Sequence, residues 1–147
     1  MRKGISEVVF ILDTNHDVAL AAGEAMSLVL QRRANAADAD LLITVITPQE
    51  ITQGWLAAIN REPAGHEQVF AYGRFLHSLM GFPKMTILPF DEDAARQFTA
   101  LRPQRIRIGT MDLKIAAICL AHDATLLTRN LVDFEKVPGL RVENWLD

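Results

Sequence analysis

Short apolar runs alternate along the chain with longer segments in which apolar residues recur at helical spacing. The short runs are rich in β-branched residues and are typical of parallel strands buried on both faces. Strands that alternate with helices predict an α/β fold with a mainly parallel central sheet. The predicted strands are Val8–Leu12, Leu41–Ile46, Met85–Leu88, Thr125–Thr128 and an edge strand Leu140–Glu143, and the predicted helices are Asp17–Arg33, Thr47–Asn60, Glu67–Met80, Asp91–Leu101 and Thr110–Leu120.

Three of these helices begin with a side chain that can cap them. Asp91, Thr47 and Thr110 are predicted N-caps, because their side-chain oxygens can accept from free backbone N–H groups. Thr47 is followed by proline and, three residues on, by Glu50, which is the pattern of a capping box. Asp112 falls in the first turn of its helix, where the helix dipole favours a negative charge.

Length and composition indicate one globular domain, residues 1–147. Half of the 147 residues are hydrophobic and 22% are charged, so the chain can bury a full core. The single cysteine, Cys119, cannot form an internal disulfide, which fits a cytoplasmic protein. No apolar run is long enough to span a membrane, and the N-terminus does not have the pattern of a signal peptide.

The charge of the chain restricts how it can bind nucleic acid. A net charge of −3 argues against broad electrostatic attraction to a polyanion, but it leaves room for a local basic strip. The best such strip is Arg102, Arg105 and Arg107, and Arg129 is a further candidate at the end of a predicted strand. These arginines are solvated loop charges in the simplest interpretation, and contacts to the phosphates of a nucleic acid in the functional one.

Four carboxylates are predicted to meet at one edge of the sheet. In a parallel sheet with helical crossovers, the C-terminal ends of strands and the N-terminal ends of helices share an edge, and ligands bind there. Asp13 and Asp133 follow predicted strands, whereas Glu50 and Asp112 lie near helix starts. Four distant segments therefore bring an acid to the same place.

Each acid also has a structural explanation when it is taken alone. Asp13 could cap a helix, Glu50 could complete the capping box, Asp112 could complement the dipole and Asp133 could sit in an Asx-turn. Their coincidence at one edge favours a metal site, because unneutralised carboxylates would repel one another. A set of oxygen ligands without His or Cys favours Mg²⁺ or Mn²⁺, and the natural chemistry is metal-assisted hydrolysis of a phosphodiester.

The motifs around these acids resemble those of a known family. They are similar to those of the PIN-domain ribonucleases, and above all to the VapC group, the toxins of bacterial type II toxin–antitoxin pairs. The motifs are Leu12-Asp13-Thr14-Asn15, Thr47-x-x-Glu50, Ile108-Gly109-Thr110-x-Asp112-Leu113 and Leu127-Thr128-x-Asn130-x-x-Asp133-Phe134, and the ending from Val137-Pro138-Gly139-Leu140 to Glu143-Asn144-Trp145 is also similar.

The resemblance implies a three-layer α/β/α sandwich and Mg²⁺- or Mn²⁺-dependent endonuclease action on RNA. It also implies inhibition by a small cognate antitoxin and assembly into a homodimer. By position, Asp13, Glu50, Asp112 and Asp133 become the catalytic metal ligands. The same correspondence makes supporting polar groups of Asn15, Thr128 and Asn130.

Two other functions compete with this one. A PIN fold could bind RNA or protein without cutting, although the presence of all four acids argues against that. A small-molecule phosphatase of another α/β type would want a second aspartate two residues after the first, and Asn15 stands there instead.

Two helices also carry more large apolar residues than one sheet face needs. We expect part of their surface to be a groove for an antitoxin segment or a dimer contact, with simple packing of the two helices on each other as the alternative. The residues are Trp55, Leu56, Ile59, Phe70, Phe75 and Leu79.

Overall fold

Five parallel strands form the centre of the computed structural model, which describes residues 9–13, 24–63, 65–81 and 86–146. Their order across the sheet is β3-β2-β1-β4-β5, and each neighbouring pair is parallel. The predicted α/β class with a parallel sheet is confirmed. The strands are β1 (Val9–Leu12), β2 (Asp40–Thr44), β3 (Ile87–Leu88), β4 (Thr125–Leu127) and β5 (Arg141–Glu143).

Helices connect these strands. They are α1 (Glu24–Ala37), α2 (Ile46–Arg61), α3 (Val69–Gly81), α4 (Glu92–Leu101), α5 (Thr110–Ala121) and the single turn α6 (Leu131–Phe134), with a 3₁₀ turn at Arg102–Gln104 after α4. None of the described helices is both long and apolar enough to cross a bilayer.

The two faces of the sheet bury separate cores, because successive residues of a strand point to opposite sides. Ile11 of β1 belongs to a core that is covered by α4 and α5, whereas Phe10 and Leu12 belong to a core on the other face. Leu30 and Ala34 of α1 cover that second core. The fold is therefore the three-layer α/β/α sandwich that the resemblance implied.

Helix α5 is buried on nearly every side, as its sequence predicted. The run Ile115–Cys119 has no exposed surface. Burial raises the pKa of the Cys119 thiol, so this sulfur stays protonated and unreactive.

Helix α1 extends past its predicted end. The predicted stop was Arg33, but the helix continues to Ala37 and closes at Asp38, whose φ is +50°. The Ala39 N–H donates to the Ala34 carbonyl at 3.0 Å, which makes this a Schellman-type cap with aspartate in the left-handed position usually held by glycine. Its predicted start at Asp17 lies outside the described residues.

Helix α2 begins earlier than the Thr-Pro motif indicated, and the predicted capping box is wrong. The N-cap is Val45, whose side chain makes no cap hydrogen bond. The Thr44 hydroxyl instead accepts from the Ile46 N–H at 3.2 Å. Thr47 is therefore a fully buried residue of the first turn, and its hydroxyl has no hydrogen-bond partner in the described part of the chain.

Helix α5 also starts without the expected cap. Gly109 is its N-cap and Thr110 is its first residue, so the prediction of a Thr110 cap is wrong. Only the Asp91 cap is confirmed, because its carboxylate accepts from the Ala94 N–H at 3.1 Å.

The buried Thr47 hydroxyl gives a stability prediction. We expect Thr47→Val to raise the free energy of unfolding by about 1 kcal/mol, because valine keeps the shape and removes an unsatisfied polar group. A true N-cap would instead lose about 0.5–2 kcal/mol on this change. Urea denaturation measures the difference. Thr44→Val is the matched control and should destabilise, since the Thr44 hydroxyl is bonded; a destabilised Thr47→Val would contradict the buried position.

Candidate active site

The centre of the candidate site is the junction of β1 and β4. The chain moves outward from β1 through β2 to β3, then crosses back to β4 and continues to β5, so the strand order reverses between β1 and β4. Ligands of open α/β sheets bind at this point, beyond the carboxyl ends of the strands. Asp13 and Thr128 are the first residues after these two strands, and the Asp13 N–H donates to the Leu127 carbonyl at 2.9 Å.

Thr128 holds the carboxylate of Asp13 in place. Its hydroxyl donates to Asp13 Oδ2 at 2.8 Å and accepts from the Asn130 N–H at 2.9 Å. Because a backbone N–H can only donate, the hydroxyl proton is left to point at Asp13. Asp13 and Thr128 are both buried, so this bond is shielded from water.

Asn130 and Lys136 hold the carboxylate of Asp133 in the same way. Asp133 lies in α6, and its Oδ2 accepts from Asn130 Nδ2 at 2.9 Å while its Oδ1 accepts from Lys136 Nζ at 3.1 Å. These two contacts, that of Asn130 first, lower the pKa of Asp133 below its ordinary value. One hydrogen-bonded chain therefore runs from Asp13 through Thr128 and Asn130 to Asp133.

Asp112 experiences the charges of the other three acids. It lies half-buried in the first turn of α5, and its pKa is raised from 3.8 to about 6. Burial is the largest cause, and repulsion from Asp13, Glu50 and Asp133 follows in that order. Asp13, Glu50 and Asp133 are thus each close enough to Asp112 to act on it electrostatically.

Glu50 reaches this place from inside α2. The helix starts at Ile46, so Glu50 stands one turn in, and no acid lies in the first turn itself. With the capping box gone, helix capping no longer accounts for this glutamate.

The four acids do not form a closed cage in the structure. Among the described residues, no group of three or more Asp, Glu, His or Cys side chains is arranged so that it could hold a metal ion. The four acids are related instead by their position at one edge of the sheet and by the repulsion that three of them exert on Asp112. Asn15, the remaining predicted polar group, lies outside the described residues.

The predicted basic strip has a mixed environment. Arg102 lies in the 3₁₀ turn with its guanidinium 5.7 Å from the centre of the Phe98 ring, so it packs against α4. Arg105 has a φ of +54°, and Arg107 accepts a hydrogen bond from Lys136 through its backbone carbonyl at 3.1 Å. All three side chains are exposed, as is that of Arg129.

The contact of Lys136 with the candidate site was not predicted from the sequence. Its signal is its position three residues after Asp133, the spacing at which opposite charges meet on a helical turn.

The raised pKa of Asp112 gives a prediction about stability and pH. Because the folded-state pKa exceeds the unfolded one, this group stabilises the fold below about pH 4, and the contribution is lost as the pH rises through about 6. In EDTA, Asp112→Asn should therefore raise the melting temperature near pH 7.5 and lose this advantage near pH 4.

Asp133→Asn should behave in the opposite way, because the pKa of Asp133 is lowered. The stabilisation of the fold by ionised Asp133 is present at neutral pH and is lost as the pH falls below about 4. Thermal melts of both variants and the parent across this pH range measure the two effects. A constant difference between the melting temperatures of Asp112→Asn and the parent at all pH values would contradict the raised pKa of Asp112.

Comparison with known proteins places these residues in a family. The PIN domain family model matches residues 10–140. The tRNA(fMet)-specific endonuclease VapC of Salmonella typhimurium is 28% identical over 141 residues, which cover 92% of this chain and 97% of that protein. Ribonuclease VapC1 of Rickettsia felis is 46% identical over 61 residues; these cover 39% of this chain and 46% of that relative, so this match spans less than half of its length.

Solved structures show the same fold. DNA-bound VapBC from Salmonella typhimurium has a TM-score of 0.70 at 27% identity, covering 94% of this chain and 98% of that one. VapBC2 from Rickettsia felis, bound to a promoter DNA fragment, has a TM-score of 0.65 at 24% identity, with 94% and 99% covered. With the family model matching most of the chain, from β1 to the residue before β5, this protein belongs to the PIN-domain family.

Proposed function

We propose that this protein is a Mg²⁺- or Mn²⁺-dependent endoribonuclease of the VapC type, the toxin of a toxin–antitoxin pair, acting in the cytoplasm. The observation that carries the proposal is the hydrogen-bonded chain from Asp13 through Thr128 and Asn130 to Asp133, because it fixes two carboxylates at the strand-order reversal. Burial first, and then the charges of Asp13, Glu50 and Asp133, raise the pKa of Asp112, which places Asp112 near them. Relatives that are named as ribonucleases and as a tRNA-specific endonuclease support the choice of RNA as substrate.

The donor chemistry of the site fits such a cation. Asp13, Glu50, Asp112 and Asp133 offer only carboxylate oxygens, the ligands that Mg²⁺ and Mn²⁺ prefer. Each carboxylate oxygen can accept more than one bond, so the hydrogen bonds from Thr128, Asn130 and Lys136 do not exclude a metal ion. A divalent cation held there would neutralise charge on a phosphate and acidify water.

The chain's own residues prepare this place. Thr128 and Asn130 fix the Asp13 and Asp133 carboxylates through one hydrogen-bonded chain, so their oxygens need little reorganisation. Asp112 is half-buried and is repelled by the other three acids, so a cation would favour its ionised form. Beside these acids, Arg105, Arg107 and Arg129 supply local positive charge for the RNA backbone on a chain that is negative overall.

The metal-dependent activity can be tested by removing single charges. We expect Asp13→Asn, Glu50→Gln and Asp112→Asn to keep the fold and to lose at least roughly 10–100-fold in Mn²⁺ affinity or RNA cleavage. Titration calorimetry and cleavage of labelled RNA measure these effects. Asp123→Asn makes the same chemical change at the opposite edge of the sheet and should behave like the parent. Cleavage that persists in EDTA would contradict metal dependence.

The competing proposal is a PIN-fold module that binds RNA or protein without cutting. One observation favours it, namely that no three of the described acids are arranged to hold an ion together. Tight RNA binding with weak Mn²⁺ binding and no cleavage would support that function instead.

The partner surface that we propose lies on α3. Of the six apolar residues predicted to form a groove or contact, Ile59 is buried, but Leu56, Phe70 and Leu79 are exposed, so packing of α2 on α3 within one chain does not bury them. Phe75 is partly buried and faces inward instead. An exposed stripe runs along α3 at alternating spacings of three and four residues. It consists of Val69, Tyr72, Leu76 and Leu79, together with Met80 four residues after Leu76, and each is between 42% and 65% exposed.

This stripe has the pattern of a helix that packs against another helix. We propose that an amphipathic helix of the cognate antitoxin covers it, since several solved relatives are toxin–antitoxin complexes. A homodimer through other surfaces is part of the same proposal.

The stripe can be tested with a double variant. Tyr72→Ser with Leu76→Ser should weaken binding of the antitoxin encoded beside this gene at least tenfold, because each buried apolar anchor contributes about 1–3 kcal/mol. RNA cleavage should be unchanged. Phe70→Ser is the matched control, because Phe70 is an exposed residue of α3 outside the stripe. Unchanged antitoxin affinity together with loss of the homodimer in light scattering would show that the stripe is the dimer contact instead.

A further inference from the structure

Lys136 connects two segments that are far apart in the chain. It lies in the turn after α6, and its ammonium donates to Asp133 Oδ1 and to the Arg107 carbonyl, both at 3.1 Å. Arg107 is 29 residues away. The Lys136 side chain thus contacts both an acid of the candidate site and the backbone of Arg107, one of the arginines of the predicted basic strip.

The basic segment, residues 105–109, has few other ties of this kind. Its described hydrogen bonds are local, such as that from the Ile108 N–H to the Ile106 carbonyl at 3.0 Å. Ile106 and Ile108 pack against the core, whereas the side chains of Arg105 and Arg107 are exposed to solvent. The core therefore anchors the segment from inside, and Lys136 anchors it on the side of Asp133.

This arrangement matters for a polyanion. Phosphate contacts fix the register of a nucleic acid on a protein, and they work only when the cations stand at a fixed distance from the reacting group. A basic segment that moved relative to the acids would still attract RNA, but it would hold it in many registers.

Building on the proposed ribonuclease function, we propose that Lys136 is a positioning residue for RNA. It holds the Arg105–Arg107 segment beside Asp133, so that the arginines grip the RNA backbone next to the acidic edge. Lys136 does not need to touch the RNA to do this. Since the Lys136–Asp133 pair is exposed, its contribution to overall stability is small, and its effect lies in the placement of the segment.

The experiment compares Lys136→Met, which keeps the length and removes the donor, with Lys136→Arg, which keeps donors and charge. Arg96→Met is the matched control, because Arg96 forms an ion pair with Asp93 at the same three-residue spacing but contacts no distant segment in the described structure. Two measurements are made in EDTA on the full chain. They are hydrogen exchange of the amides of residues 105–109, and the affinity for a short fluorescent single-stranded RNA of mixed sequence.

We expect Lys136→Met to speed exchange in this segment and to weaken RNA binding roughly three- to tenfold, the effect of losing one or two phosphate contacts. The melting temperature should be nearly unchanged, Lys136→Arg should restore the RNA affinity, and Arg96→Met should match the parent.

Unchanged exchange and unchanged RNA affinity in Lys136→Met would overturn the proposal. A fall in kcat with unchanged RNA affinity would also overturn it, because Lys136 would then act on Asp133 rather than on the segment. A parent that binds RNA but never cleaves it would refute the proposed nuclease, while exchange and affinity would still decide the role of Lys136.

Discussion

The rest of this structure depends on the polar contacts that hold carboxylates at the carboxyl ends of β1 and β4, beside the half-buried Asp112. Asp13, Glu50 and Asp133 each disfavour ionisation of Asp112, so this placement of the acids costs stability. The surrounding residues offset the cost only in part. Thr128 donates to Asp13, and Asn130 and Lys136 donate to Asp133. Burial and the remaining repulsion raise the pKa of Asp112, and a cation of the proposed kind would lower it.

The two-sided core explains how such a site can be held rigid. The strands are buried on both faces, and α5 is apolar all round because it is enclosed by the sheet and its neighbouring helix. The polar ends of these elements can then lie only at the edges. Asp13 follows a fully buried Leu12, and Thr128 follows a fully buried Leu127, so packing fixes the positions of both groups within a hydrogen-bond length.

The sequence predicted the strands and the sheet type well, because hydrophobic runs and parallel topology determine them together. It predicted helix starts poorly. At Thr47 and Thr110 the expected caps fail because the backbone turns into the helix one or two residues earlier, at Val45 and Gly109. Capping depends on local φ and ψ as well as on residue type. The end of α1 was missed for the same reason, since Asp38 replaces the glycine that usually signals it.

The contact between Asp13 and Thr128 has a consequence for how the protein is made. These residues are 115 positions apart, and β1 lies beside β4 in the centre of the sheet. Contacts of this sequence separation close large loops and form late in folding. During synthesis, β1 cannot pair with β4 until most of the chain has emerged from the ribosome. A product that terminates before Thr128 therefore lacks this contact, and the candidate site cannot form before β4 and α6 have been made.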